Sequence, residues 1–301
     1  MFYHSLLSVI ALSTTLWVPT AGAQVFDYGR YPNLKGQWVR WGPSGPDLKG
    51  PLVRFGPTGF NGTRFDPSKP AGRGQQPPLT PEYQAIFEAG LKEQSEGGQG
   101  NTPTFTCLSP GMPRATNGYG EIEFVVTPAT TYILVRHIDD DRRIFTDARD
   151  WPEDLEPTFL GYSIGKWQDT DGDGRLDLLE VETRGPFKQP RTFDSSGIPL
   201  HKDGQTLVKE RIYLDKANPD ILHDDVTVFD HALTRPWTVN KTYGREPDKE
   251  RPIWRENNCG EYNNHVKIGT QNYLLSADGF LMPTRKGQLP PDLRYFNQPL
   301  K

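Results

Sequence analysis

The chain has 301 residues, with 34 Lys and Arg against 38 Asp and Glu, a net charge of −4 and 11% aromatic residues. That balance leaves no basic field for nucleic acid, and 30 Gly with 28 Pro promise many turns without reaching the share that marks a disordered chain. No run approaches the ~18 consecutive apolar residues of a membrane helix, so a folded, loop-rich chain of one large β-domain or two smaller ones is expected.

Residues Met1 to Ala23 carry an apolar run from Leu6 to Leu12 and close on Ala21-Gly-Ala23 ahead of Gln24. This is the pattern of a secretory signal peptide, which implies an exported chain, periplasmic or secreted, with no transmembrane segment after processing. Cys107 and Cys259 are the only cysteines. In an oxidising compartment such a pair favours a single disulfide over two buried thiols.

Residues 24–100 read as a Gly/Pro-rich arm with one helix, and 101–301 as an antiparallel β-barrel domain. Within the arm Val39-Arg-Trp-Gly-Pro-Ser-Gly45 recurs as Val53-Arg-Phe-Gly-Pro-Thr-Gly59. Each copy looks like half of an irregular hairpin, and two copies are too few for a solenoid. The helix opens with Thr80 as N-cap and Pro81 at its first position, puts Tyr83, Ile86, Phe87 and Leu91 on one face, and ends at Gly97-Gly98.

Beyond Cys107 the pattern turns to β-branched and aromatic runs. Strands are expected over Glu121 to Val126, Thr131 to Ile138, Arg142 to Thr146, Phe159 to Lys166, Leu176 to Thr183, Leu207 to Leu214, Ile221 to Phe229, Trp237 to Tyr243 and Val266 to Leu275. Many short strands with Gly, Pro and Asp turns argue for an all-β fold, an antiparallel barrel or sandwich. Leu34-Lys-Gly36-Gln-Trp38 resembles the Gly-x-Trp opening of lipocalins, and that resemblance implies a barrel.

Asp169-Thr-Asp-Gly-Asp-Gly-Arg-Leu-Asp-Leu-Leu-Glu180 has the spacing of an EF-hand calcium loop. Asp169, Asp171 and Asp173 would converge on a structural Ca²⁺, Arg175 would add its carbonyl, Asp177 would act through a water, and Glu180 would close the shell. The flanks lack a helical rhythm. A calcium-clipped β-hairpin is therefore expected, with a solvated acidic turn as the plain alternative.

The block from Cys107 onward resembles a large, little-characterised family of exported bacterial proteins. The residues that carry this are Pro110-Gly-Met-Pro-Arg114, Arg142-Arg-Ile-Phe-Thr-Asp147 with Arg149, Gly161-Tyr-Ser-Ile-Gly-Lys-Trp167, Glu182-Thr183, Asp194, Ser196-Gly197, His201, Glu210-Arg211 and Thr234-Arg-Pro-Trp237. The resemblance implies an exported β-rich protein and no particular activity. Many members have a short turn in place of the acidic loop, so calcium rests on the loop itself.

No His-x-x-x-His pair, Gly-x-Ser-x-Gly elbow, P-loop or dinucleotide fingerprint is present, and no organic cofactor is implied. If strands close into a barrel, His137, Asp147, Tyr162 and His201 would meet at one mouth as acid and base, with Arg143 or Arg149 stabilising negative charge. Phe159, Trp167, Arg235 and Trp237 are the ligand-binding candidates. Each has a plainer reading, as a surface histidine, a salt-bridged corner or core packing. Three functions follow: a cofactor-free lyase, hydratase or isomerase of a small hydrophobic or phenolic molecule; a non-catalytic carrier of such a ligand; or a calcium-stabilised surface protein. A deep cavity with inward His or Asp favours the first, an apolar cavity the second, and a filled barrel the third.

Overall fold

The computed structural model of the protein describes residues 26–43, 52–54, 77–96, 99–117, 121–137, 140–194, 196–247, 253–254, 259, 264–268, 271–276 and 278–291. The signal peptide expected over 1–23 and the Gly97-Gly98 helix stop lie outside them.

Alternation sets the architecture. Strand β8 (Leu207–Leu214) buries Val208, Glu210 and Ile212, β9 (Ile221–Phe229) buries Leu222, Asp224, Val226 and Val228, and β10 (Trp237–Arg245) buries Trp237, Val239, Lys241 and Tyr243. Each of these strands has one face turned inward and one turned out. The wall continues through β7 (Leu178–Arg184), β6 (Tyr162–Gln168), β5 (Asp140–Phe145), β4 (Thr130–Val135), β3 (Ile122–Val126) and β1 (Trp38–Pro43), and β1 also pairs with β10, closing a ring of nine strands. The all-β barrel expected from the strand pattern is the fold found.

A ring with an odd number of strands cannot alternate direction all the way round. One neighbouring pair must run parallel, and among the described residues it is β5 with β6, joined through residues 146–161. Their pairing covers only Ile144↔Ser163 and Phe145↔Ile164. Antiparallel neighbours such as β6 and β7 pair along their whole length, from Tyr162↔Arg184 to Gln168↔Leu178.

The interior is filled in three layers. Leu34, Trp38, Ile122, Ile133, Val135, Ile144, Leu179, Val181, Ile212, Leu222 and Tyr243 form one apolar cluster. Val208, Val226, Val228, Trp237 and Val239 belong to a second, with Phe87, Met112, Ala115, Phe187, Phe193, Ile198 and Leu200. Along β8, β9 and β10 the inward positions between the clusters are Glu210, Asp224 and Lys241, and Arg142 from β5 joins them. Residues 110–117 plug the ring, since Lys241 Nζ donates to Pro113 O at 2.7 Å and Tyr243 Oη to Thr116 O at 2.8 Å. Burial and the neighbouring Glu210 push the Asp224 carboxyl up, and burial pulls the Lys241 ammonium down.

The repeat copies pair with each other. β1 lies antiparallel to β2 (Leu52–Arg54) through Trp41↔Arg54, Gly42↔Val53 and Pro43↔Leu52, and β1 belongs to the ring although it precedes residue 100. Helix α1 (Pro81–Ser95) starts where expected, with Thr80 Oγ1 accepting from Tyr83 N. Its buried face is Tyr83, Phe87 and Gly90, whereas Ile86 is 39% exposed. The Gly90 Cα approaches the Asn101 side chain so closely that a Cβ there would clash, which turns the packed stripe away from Ile86. A separate sheet, β11 (His265–Ile268), β12 (Gln271–Leu275) and β13 (Leu281–Pro283), divides the single strand expected over Val266 to Leu275. The Cys107–Cys259 disulfide closes a span of 152 residues.

A candidate site in the barrel wall

Where β5 and β6 part company, the wall opens into a cleft of about 490 Å³. Arg142 and Ser163, inward residues of those two strands, form its floor, with 1% and 3% of their surface exposed. Phe145, Phe159, Leu160 and Tyr162 give it an apolar side, and Arg143, Lys188, Asp140, Asp141 and Ser109 a polar one.

Local sequence builds this shape. Gly161, at φ +69°, lets the chain turn against the Phe187 ring and Arg184 O, where a Cβ would meet atoms at 2.4 and 2.6 Å. Thr158 Oγ1 accepts from Gly161 N at 2.8 Å, and Phe159 O accepts from Met112 N at 3.0 Å, so the segment bearing Phe159 is pinned at both ends. Tyr162 stacks on Phe145 with centroids 4.9 Å apart. Arg149 lies 3.8 Å over Phe145, forks onto Asp147 at 2.8 and 2.7 Å, and donates to Tyr162 Oη at 3.4 Å.

The floor is charged. Arg142 donates two hydrogen bonds to Glu210, one to Thr183 Oγ1 at 3.0 Å and a longer one to Ser163 Oγ at 3.5 Å, while its buried Nε–H has no acceptor among the described residues. The cations that a ligand in the cleft can reach are Arg143 and Lys188, which suit an acidic oxygen.

The residues singled out from sequence separate into several places. Arg143, Tyr162 and Phe159 line the cleft, and Asp147 with Arg149 braces its aromatic side. Asp147 is held down to about 2 by the Arg149 hydrogen bonds, which makes it a fixed anion and not a base. His137 is buried just beyond β4; burial first and the Arg114 charge second pull its imidazole down to about 4, so it is neutral and sits apart from the lining. His201 packs against Tyr83, Asp203 and His231 instead. The meeting of His137, Asp147, Tyr162 and His201 at one mouth is thus replaced by separate clusters: His137 follows β4, Asp147 and Tyr162 flank the β5–β6 connection and share Arg149, and His201 lies in the turn before β8. Trp167 is tied to Thr131 Oγ1 at 3.0 Å and packs on Tyr31, Trp237 packs on Phe193 in the core, and Arg235 is exposed with a hydrogen bond to Pro236 O. Of the four ligand-binding candidates only Phe159 lines the cleft.

Arg142, Ser163 and Lys188 line the cleft without having been among the candidate site residues. The first was legible, since Arg142 shares its strand face with Ile144 and must point inward when Ile144 does.

The acidic loop joins β6 to β7, so its flanks are strands, as expected. Ligand atoms of Asp169, Asp171 and Asp173 all lie within 4.8 Å of one another. Asp169 also accepts from Gly172 N and Gly174 N at 2.7 and 2.9 Å. Asp177 is turned to Thr170, and Glu180 stands on β7 facing Gln168 and Arg211. Three of the six proposed ligands therefore converge, while the side chains of Asp177 and Glu180 are engaged elsewhere.

Compared with family models and with curated proteins, the chain matches none.

Proposed function

We propose that this barrel binds a small aromatic or otherwise hydrophobic molecule carrying an acidic oxygen, a phenol or carboxylate, in the β5–β6 cleft. The observation that carries this reading is a cleft sided by Phe145, Phe159 and Tyr162 with the Arg143 and Lys188 cations on its polar flank. Aromatic walls supply contact area, and the two cations fix orientation. The side-chain-filled interior argues against carriage along the barrel axis and favours the wall. It equally favours the reading of a scaffold stabilised for a surface role, which the same experiment tests.

Turnover is not part of the proposal. The acid-base scheme loses His137 and His201 to other clusters, and Asp147 to its ion pair. The disulfide supports export, and no helix among the described residues is long and apolar enough to cross a membrane. Export, and membership of the exported bacterial family that the motifs resemble, belong to this reading. So does a structural Ca²⁺ on Asp169, Asp171 and Asp173, which would relieve the repulsion of three converging carboxylates and clip the β6–β7 hairpin.

The test is a thermal-shift series of phenols, aromatic carboxylates and their uncharged analogues. Acidic aromatics should raise the melting midpoint more than their esters, and Phe159→Ala should abolish the shift without altering the ligand-free midpoint. No shift with any compound, or one indifferent to Phe159→Ala, leaves the scaffold reading. In parallel, Ca²⁺ should raise the midpoint in the parent protein and not in Asp169→Ala. Equal midpoints in calcium and in chelator would remove the ion from the account.

A further inference from the structure

His201, Asp203 and His231 come from two segments that sequence spacing does not connect, yet their ligand atoms all lie within 4.8 Å of one another. His201 Nδ1 stands 2.9 Å and His231 Nδ1 2.6 Å from the same carboxylate oxygen, Asp203 Oδ2. The backbone nitrogen of Asp203 lies 3.3 Å from the same His201 Nδ1, which keeps ring and carboxylate together in the 201–204 turn. Two imidazole nitrogens gathered on one carboxylate oxygen form a set that a cation can take up when the rings present their lone pairs to it.

The surrounding structure holds this set in place. Gly204, at φ +71°, packs its backbone on Phe187 and lets the chain reverse so that His201 and Asp203 face one side. Gln205 N occupies the other carboxylate oxygen at 3.0 Å, leaving Oδ2 for a ligand role. His201 is fixed by its backbone N–H, which donates to Asp230 Oδ1 at 2.8 Å, by its backbone carbonyl, which accepts from Gln189 Nε2 at 3.0 Å, and by its ring on Tyr83 at 5.2 Å. Asp230 is itself held by Thr206 Oγ1 at 2.5 Å, which Arg191 supports at 2.7 Å. These contacts fix the backbone that carries His201, and Gln205 N orients the Asp203 carboxylate as an outer partner does at a metal site.

We propose that His201, Asp203 and His231 form a binding site for a divalent first-row transition ion of the zinc type, separate from both the cleft and the acidic loop. Two imidazoles with one carboxylate suit such an ion, whereas the oxygens of the acidic loop suit calcium. Tetrahedral bonds of about 2.0 to 2.1 Å place ligand atoms about 3.3 Å apart. The present separations of 2.6 and 2.9 Å need only a small opening, and the His231 side chain, 68% exposed, is free to make it. Three protein ligands with one side toward solvent leave a position for water or an anionic group. The ion would clip the turn after β9 to the 201–204 turn, on which α1 rests through Tyr83.

The experiment is a calorimetric titration of the untagged, chelator-stripped protein with Zn²⁺, repeated with Co²⁺ while its ligand-field absorption is followed. One equivalent should bind, with the affinity at least tenfold weaker in both His231→Ala and Asp203→Asn and unchanged in Asp169→Ala. His231→Gln, which keeps a donor toward Asp203, should lose the ion yet keep the metal-free melting midpoint, separating ligation from a hydrogen-bonding role. Absence of binding in the parent protein at micromolar Zn²⁺ would overturn the proposal. So would equal affinity in His231→Ala, or a loss in Asp169→Ala as large as in Asp203→Asn.

Discussion

Two arginines close together in the sequence, Arg142 and Arg149, each fork onto a carboxylate in contrasting environments. Arg142 grips Glu210 inside the barrel, with side chains 1% and 0% exposed; Arg149 grips Asp147 at the rim, with side chains 38% and 31% exposed. The chemistry is the same, but the inner pair has given up its water and is held by Thr183 and the ring around it. The outer pair keeps its water and braces an aromatic stack. Burial, not hydrogen-bond geometry, therefore decides which fork the fold depends on.

Breaking the inner fork on one side should have the largest effect. Arg142→Met or Glu210→Gln leaves a partner buried and unmatched, at a cost of about 3–5 kcal/mol by denaturant unfolding, and Arg142→Met with Glu210→Leu should recover most of it. A single variant as stable as the parent would show that water reaches the layer. The second effect uses another buried base of the interior. His137 is pulled from 6.5 to about 4 in the folded state, so its contribution is complete above pH 6.5 and is lost as pH falls from there through 4. That limb should amount to about 3 kcal/mol, and His137→Asn should flatten it; an unchanged pH profile would refute the assignment. The outer fork gives the smallest effect. Asp147, lowered from 3.8 to about 2, contributes above pH 3.8 and loses that contribution as pH falls through 2. Asp147→Asn should leave the melting midpoint near neutral pH almost unmoved while weakening any ligand held by the Phe145–Tyr162 side. A large drop in stability would mean that the rim carries more of the fold than its exposure implies.

Much of the fold was legible because alternation is a local signal. Leu207–Leu214 and Ile221–Phe229 coincide with the runs expected, the helix begins at its Thr80 cap, and the acidic loop sits between strands. Ile86 was misplaced because the choice between neighbouring helix faces depends on what packs there, in this case Asn101 against Gly90. For Trp167 and Trp237 the sequence left ligand wall and core packing both open, since the two share one composition, and the structure gives packing. The His201–Asp203–His231 cluster left no trace in spacing, because His231 is carried to the turn at His201 only by the length of β9 and its pairing with β8.

The amino-acid sequence by itself determined the β-character, the helix start, the cysteine pair available for the bridge and the hairpin nature of the acidic loop, because each rests on residues within a turn or a strand of one another. Tertiary structure alone decided the number of strands in the ring, and with it everything at the candidate site. An odd count forces one parallel pair, a parallel pair needs a long connection, and β5 and β6 accordingly separate after two residue pairs to open the cleft above Arg142.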